Sequence, residues 1–327
     1  MKEFDKIPVT KVQRATKFIT TGAKIGGNYL KHYSKKLVDP SKTRAELHED
    51  NAKDIYNSLS ELKGSALKVA QMLSMDKSLL PRAYQNKFAM AQYSAPPLSY
   101  PLVVKIFKQY FGKGPEQFFE TFTRKAVNAA SMGQVHQATL NGKKLAVKIQ
   151  YPGIGDSVKS DLAMVKPIAL SMFKLNPAEY NEFIQEVEMR MMEETDYTLE
   201  LKRSIDLSER SRHIDNLVFP SYYPELSSGK ILTMDWIEGK PLGERIGRSI
   251  PAEAGQKLGQ AMWDFYLFQM HEIRSVHADP HPGNFIITED YQLGIIDFGC
   301  VKVIPDAFYD IYFRLLDRNL LNNSTEM

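Results

Sequence analysis

The stretch HADPHPGNFIITEDYQLGIIDFG, residues 277–299, opens with two histidines, a carboxylate and an asparagine broken by two prolines, and closes on Asp297-Phe298-Gly299. His277, Asp279 and His281 at i, i+2 and i+4 would share one side of a strand and suit zinc. Pro280 and Pro282 argue against a regular central strand, and a helix does not present i and i+2 together. A turn with incidental polar residues leaves Asn284 and Asp297 unexplained. FIIT turning through Glu289-Asp290 into LGII reads as a hairpin that ends on Asp297. The remaining reading is phosphoryl transfer, which needs a carboxylate for the acceptor, oxygen ligands for Mg²⁺, a lysine on the phosphates and a small-residue loop over them. Asp279 fits the first role; Asn284 and Asp297 fit the second.

The other two parts lie upstream in KAVNAASMGQVHQATLNGKKLAVKIQYPG, residues 125–153. VHQATL and KLAVKIQ read as strands joined by Asn141-Gly142, the pair favoured in a tight type I′ turn. NAASMG precedes the first strand as a loop of small residues whose backbone can approach a ligand. Lys148 sits in the second strand among Ala146, Val147 and Ile149, as an edge residue or as a ligand group. The order is loop, strand lysine, helix glutamate, aspartate, asparagine, DFG. A strand lysine or a DFG alone recurs by chance; the ordered set is strong evidence.

Helical periodicity fills the intervening chain. Asn176-Pro177 supplies a cap and a first-turn proline, and a stripe runs Tyr180, Ile184, Val187, Met191, Glu194, Thr198, Leu201, Ile205, which predicts one long helix. Glu194 falls on the apolar line, where an unpaired carboxylate is costly, so a cation is expected opposite it, with Lys148 the candidate; an exposed break in the stripe is the alternative. KILTMDWI, 230–237, reads as a strand, and Pro251 opens a helix to about Arg274. Upstream, Ile55, Leu59, Leu62, Ala66, Val69 and Leu73 form a buried stripe, with Lys68 and Gln71 one turn apart on another face, either converging on one object or simply solvated. APPLSYP marks a boundary.

The whole composition sets bounds. A chain of 327 residues, 43% hydrophobic and 25% charged, is long enough for two cores. A single cysteine, Cys300, excludes an internal disulfide and a multi-cysteine zinc site and favours a reducing interior. No signal-peptide pattern and no 18-residue apolar run is evident. Residues 1–36 carry nine Lys/Arg against Glu3 and Asp5, leaving −4 on the rest of a chain whose net charge is +3. In that basic arm Val12, Ala15, Ile19, Gly22, Gly26, Tyr29 and Tyr33 share a helical face, with lysines around it and a GxxxG step. This pattern suits an anionic membrane surface or a partner helix; a basic helix docked on its own domain is equally compatible. No nucleic-acid recognition motif appears, so no nucleic-acid partner is expected.

From IPVTKVQR through ALKVAQMLSMD, AASMGQVHQA, LAVKIQYPG, ETDY and HADPHPGNF to DFG, the chain resembles the UbiB/AarF-type atypical protein-kinase-like family, associated with ubiquinone and isoprenoid-lipid metabolism. The resemblance implies that Lys148 is the nucleotide lysine, paired with Glu194 of the ETD motif, with Asp196 and Glu200 as further acids. It makes Asp279 the catalytic-loop aspartate and Asn284 and Asp297 the metal ligands. Ala129, Ala130 and Ser131 match the alanine-rich nucleotide loop, with Asn128 where another alanine is usual. Lys68 and Gln71 match the family's KxGQ motif, on a helical extension covering the active site, with Ala70 replacing the glycine.

These readings predict an α+β, two-lobed kinase-like fold: a basic arm over 1–45, a helical extension over 46–122, an N-lobe over 123–239 and a C-lobe over 240–327. Gly299 is followed by only 28 residues, so the C-lobe is expected to be incomplete. ATP and Mg²⁺ are the expected cofactors, bound between the lobes. An anionic membrane surface, a quinone-like or isoprenoid lipid and lipid-biosynthesis enzymes are the expected partners, and the expected location is cytoplasmic or peripheral on a membrane's cytoplasmic face. The expected activity is that of an atypical kinase or ATPase supporting such lipid metabolism. A small-molecule kinase of the aminoglycoside or choline type, and a nucleotide-gated binding module, are the competing readings.

Overall fold

The computed structural model of the chain describes residues 11–39, 44–62, 68, 81–89, 97–129, 132–173, 177–245 and 250–314. In chain order the helices are α1 (Lys11–Val38), α2 (Arg44–Leu62), α3 (Arg82–Ala89), α4 (Tyr100–Phe111), α5 (Ile154–Phe173), α6 (Pro177–Glu194), α7 (Tyr197–Ser211), α8 (Leu242–Arg245), α9 (Ala252–Phe268) and α10 (Asp306–Arg314). The strands are β1 (Thr121–Phe122), β2 (Asn128–Ala129), β3 (Gly133–Leu140), β4 (Lys143–Gln150), β5 (Leu217–Val218), β6 (Ile231–Asp235), β7 (Lys240–Pro241), β8 (Ser275–His277), β9 (Phe285–Ile287), β10 (Leu293–Ile295) and β11 (Val301–Val303). Helix and sheet are mixed as α+β, and the chain divides into two compact units, Met1–Thr198 with Tyr223–Thr233, and Leu199–Tyr222 with Met234–Met327.

The first unit is organised on a sheet of order β1-β3-β4-β6, with β2 also on β3. Asn141 and Gly142 both take positive φ, 52° and 72°, as the predicted turn requires, so β3 and β4 pair from Leu140↔Lys143 to Gly133↔Gln150. That register places Lys148 opposite Val135. Burial along β4 shows why the hairpin holds: Leu145, Val147 and Ile149 are buried with α2, α4 and α5 residues such as Leu59, Phe107 and Leu162.

Two long-range ties join α1 to α5 and to α2. Arg14 of α1 forms a bidentate ion pair with Asp161 of α5, Nε to Oδ1 at 2.7 Å, and donates from Nη1 to the Leu62 carbonyl at the end of α2 at 2.8 Å. Both side chains are buried, so neither charge can be left alone without loss. This pairing sets the roll of α1. Its buried face is Arg14, Phe18, Thr21, Ile25 and His32, one residue before each of the predicted Ala15, Ile19, Gly22, Gly26 and Tyr33. One residue is about 100° of helix. The helix therefore docks on its own unit while Val12, Ile19 and Tyr33 of the predicted face, together with Leu30 and Leu37, stay exposed. A Cβ at Gly22 or Gly26 would meet nothing within 4 Å, so the GxxxG step is not a packing seam with the described residues.

The expectation of one long helix through Ile205 is corrected. The helix stops at Glu194 and a new one starts at Tyr197. Asp196 accepts from the Thr198 N–H at 3.0 Å, capping the second helix, and the Thr195 carbonyl takes side-chain donors, Gln150 Nε2 at 3.0 Å and Lys230 Nζ at 2.9 Å.

In the second unit, β9 and β10 form the predicted antiparallel hairpin within a sheet of order β5-β10-β9-β7, and β8 pairs with β11. Phe298, fully buried, anchors this core, with ring centroids 6.2 Å from Phe219 and 6.4 Å from Phe265.

Candidate active site

In the second unit the run after β8 is tied to itself. The Asp279 carbonyl accepts from the His281 N–H at 2.7 Å and from Asn284 Nδ2 at 3.0 Å. His281 caps the following 3₁₀ turn, its Nδ1 accepting from Gly283 N–H at 3.0 Å. Pro282 stands in the first position of that turn, where its missing N–H has no cost. This explains the proline spacing that a strand could not accommodate. The histidines do not form a cage: His277 is buried, with Nε2 2.6 Å from the Asp297 carbonyl oxygen, and among the described residues no cluster of three His, Cys, Asp or Glu could hold a metal.

His277 is a structural contributor that the sequence reading did not assign. Its N–H donates to buried Gln269 Oε1 at 2.7 Å, and its ring meets Phe298 edge-on at 5.8 Å. The following residue, Ala278, donates to the Cys300 carbonyl at 2.9 Å. Residues 277–278, which lead into this run, are therefore tied to the DFG turn at Asp297 and at Cys300. Asp297 Oδ1 also accepts from Gly299 N–H at 2.8 Å, and a Cβ on Gly299 would approach Glu200 Oε2 at 3.4 Å. Glu200, buried on α7, thus stands beside the DFG turn within this unit. Asp279, Asn284 and Asp297 are half-buried, held by backbone contacts yet reached by solvent.

The donor set fits magnesium in kind. Asn284 spends its amide nitrogen on the loop, which leaves the carbonyl end as its metal-ligand chemistry, and Asp297 is oriented by Gly299. Mg²⁺ in nucleotide sites is characteristically held by one or two protein oxygens together with phosphate oxygens, so a dedicated protein cage is not required.

In the first unit Lys148 is half-buried on β4, its Nζ 5.1 Å from the centroid of the buried Tyr197 ring. Glu194 ends α6 with Oε1 2.9 Å from Lys68 Nζ, both side chains nearly buried. A cation opposite Glu194 was expected from its place on the apolar stripe, and this contact supplies one from the helical extension. Lys68 is accordingly buried rather than solvated. Gln71, Ala130 and Ser131 lie outside the described residues. Asn128 and Ala129 pair with Val135 and Gln134 as a short strand that folds back over β3.

Lys230, absent from the sequence assignment, completes the surroundings. It donates to Gln150 Oε1 at 2.5 Å as well as to Thr195, and burial pushes its pKa down while Asp156 and Asp196 pull it up. A serine-glycine turn before a strand gives no hint that its lysine points inward, so only the tertiary structure could reveal it.

Comparison with known proteins places the chain in a family. The ABC1 atypical kinase-like domain matches residues 90–327. An uncharacterised chloroplastic aarF domain-containing protein kinase of Arabidopsis thaliana is 28% identical over 306 residues, covering 91% of this chain and 43% of the relative. The mitochondrial atypical kinase COQ8B of Danio rerio is 27% identical over 322 residues, covering 95% of this chain and 51% of the relative. The chain thus spans about half the length of the curated relatives it matches. Among solved structures, the Rv3197–erythromycin complex from Mycobacterium tuberculosis superposes with a TM-score of 0.54 at 31% identity, covering 80% of this chain and 67% of that one.

Proposed function

The chain belongs to the ABC1 atypical kinase-like family, and from that premise we propose that it binds ATP with Mg²⁺ and turns it over as an atypical kinase or ATPase serving ubiquinone or another isoprenoid lipid at a membrane surface. The observation that carries this reading is the loop that the His281 N–H and the Asn284 amide close on the Asp279 carbonyl, together with the His277 and Ala278 ties that hold the DFG turn. In it Asp279 orients the acceptor hydroxyl or water and takes its proton, and Asn284 and Asp297 hold the metal. When bound, Mg²⁺ neutralises charge developing on the phosphates. Lys148 engages phosphate oxygens. Glu194 is assigned to Lys148 by the resemblance and meets Lys68 in the structure; a carboxylate has two oxygens and can serve both. The roles of Ala129, Ala130, Ser131 and Gln71 at the nucleotide belong to the same proposal.

The membrane part rests on α1. Its outward stripe of Val12, Ile19, Leu30, Tyr33 and Leu37 is flanked by exposed Lys24, Lys31, Lys35 and Lys36, the pattern of a helix lying in an anionic interface. No described helix is long and apolar enough to cross a bilayer. Replacing Ile19, Leu30 and Leu37 by glutamate should abolish cosedimentation with phosphatidylserine-containing vesicles while leaving the thermal midpoint unchanged. Equal cosedimentation would remove α1 from the membrane reading.

The deciding experiment measures ATP hydrolysis with and without anionic vesicles and quinone-headgroup mimics, alongside an acceptor screen. Vesicle-stimulated hydrolysis supports the proposal. Efficient phosphorylation of one soluble metabolite would replace it with a small-molecule kinase, and nucleotide-dependent partner binding without turnover would replace it with a binding module.

A further inference from the structure

We propose that Tyr197 is a positioning residue for nucleotide: the platform that holds the Lys148 ammonium and the root of the nucleotide loop in one fixed relation. The inference rests on the reading of Lys148 as the phosphate lysine. Tyr197 is 1% exposed, and Lys148 Nζ lies 5.1 Å from its ring centroid, within cation–π range. The other end of the ring reaches β3. A Cβ on Gly133 would stand 2.7 Å from the Tyr197 hydroxyl and 2.6 Å from the Ile149 carbonyl oxygen, so only glycine lets β3 close down there. Gly133 directly follows the NAASM segment, and Ile149 directly follows Lys148. One side chain thus touches the strand end that launches the loop and the strand that carries the lysine.

The platform is itself fixed. Tyr197 opens α7, where its N–H points to the Gly229 carbonyl at 3.4 Å. Immediately before it, the Thr195 carbonyl is held by Gln150 and Lys230, and Asp196 caps the helix. A lysine on a long flexible stem loses much rotamer freedom when it must meet a phosphate; a ring face that already holds the ammonium reduces that loss. An ordinary core tyrosine would pack as well but would not care about the charge on its ring face.

That difference defines the test. Tyr197→Phe and a series of phenylalanine analogues with one, two and five ring fluorines keep the shape while withdrawing the negative ring face. Acylation of Lys148 by an ATP acyl phosphate, read by peptide mass spectrometry with exposed Lys144 as internal control, should fall along the series by about tenfold in all, with Mg-ATP affinity falling in parallel. Tyr197→Phe alone should remain within about twofold of wild type, since the ring face is retained. Without nucleotide, acetylation of Lys148 by acetic anhydride should quicken along the same series, because the ring face favours the ammonium over the free amine. A flat acetylation series in folded protein overturns the platform whatever nucleotide does. Failure of wild type to bind ATP, with a graded acetylation series, would instead sink the phosphate role of Lys148 and leave the Tyr197 contact standing only as a structural one.

Discussion

Residues 279–284 and residues 194–197 both carry candidate chemistry, but they are built on different terms. The first run holds itself: Asp279, His281, Gly283 and Asn284 bond among one another over a few positions. The second is held from elsewhere, with Glu194 on Lys68, Thr195 on Gln150 and Lys230, and Tyr197 beneath Lys148. Turn chemistry confined to a few residues is visible in a sequence, because the prolines, the glycine and the capping histidine each have a local reason to be there. A partner contributed by another element leaves only a weak trace, such as a carboxylate on an apolar stripe. The trace shows that a cation is needed but not which one.

Asp297→Asn is the strongest test of the DFG turn, which the ties from His277 and Ala278 join to the self-contained run. Asparagine can keep the Gly299 bond through its remaining carbonyl oxygen, so the fold should survive, whereas a metal ligand loses its charge. ATP hydrolysis should fall by about a hundredfold or more, and the stabilisation by Mg-ATP in a thermal-shift titration should vanish. A variant that still shows the full ligand-induced shift would take Asp297 out of the metal site.

Among contacts made at long range, as those of 194–197 are, the largest effect should come from Arg14 and Asp161. Arg14→Ala leaves a fully buried carboxylate unpaired and should cost about 3–5 kcal/mol in urea unfolding. Arg14→Met with Asp161→Leu should cost clearly less, because no lone charge remains. Simple additivity would mean that the pair does not set the roll of α1.

Lys68 and Glu194 come next. Their side chains are 10% and 13% exposed, so a double-mutant cycle of Lys68→Met and Glu194→Gln should show coupling of about 1–3 kcal/mol. A cycle of Lys148→Met with Glu194→Gln, run in parallel, tests whether the same carboxylate also serves the strand lysine. Coupling in the first cycle alone would reassign Glu194 wholly to the extension.

These cases show what the sequence could and could not reveal. The Asn141-Gly142 hairpin and the β9–β10 hairpin were readable because φ-positive turn residues and alternating apolar runs are local signals. The roll of α1 was not, since Val12, Ile19 and Tyr33 look more apolar than the face that docks, and Arg14 is inside because distant partners, Asp161 and the Leu62 carbonyl, take its guanidinium. The break after Glu194 was hidden for a related reason. The stripe runs on in register across it, while the Thr195 carbonyl at the break is taken by Gln150, at the end of a distant strand, and by Lys230, in the turn before another.

The smallest expected effect concerns His136 on β3, which is fully buried and stacked on Phe122 at 4.8 Å. Its Nδ1 lies 2.6 Å from the Thr123 carbonyl and therefore carries the proton; its Nε2 lies 2.8 Å from Gln134 Nε2 and therefore accepts. Gln134 cannot turn its amide round, because its oxygen already accepts from Leu98 N–H at 2.6 Å. A second proton on His136 would set two donors face to face, and burial independently holds its pKa below the ordinary 6.5. In the unfolded chain the ring titrates near the ordinary value, so below it the unfolded state binds more protons than the folded one. The contribution is thus complete above pH 6.5 and is lost as pH falls toward the lowered folded pKa. The slope for one proton is at most about 1.4 kcal/mol per pH unit. His136→Asn keeps a donor for Thr123 but cannot titrate, so the thermal midpoint of wild type should fall toward that of the variant as pH drops from about 7 to 5. Parallel midpoint curves for the two proteins would show that His136 does not resist protonation, and the interlock of Leu98, Gln134 and Thr123 would then lose its role in fixing the first strand of the lysine hairpin.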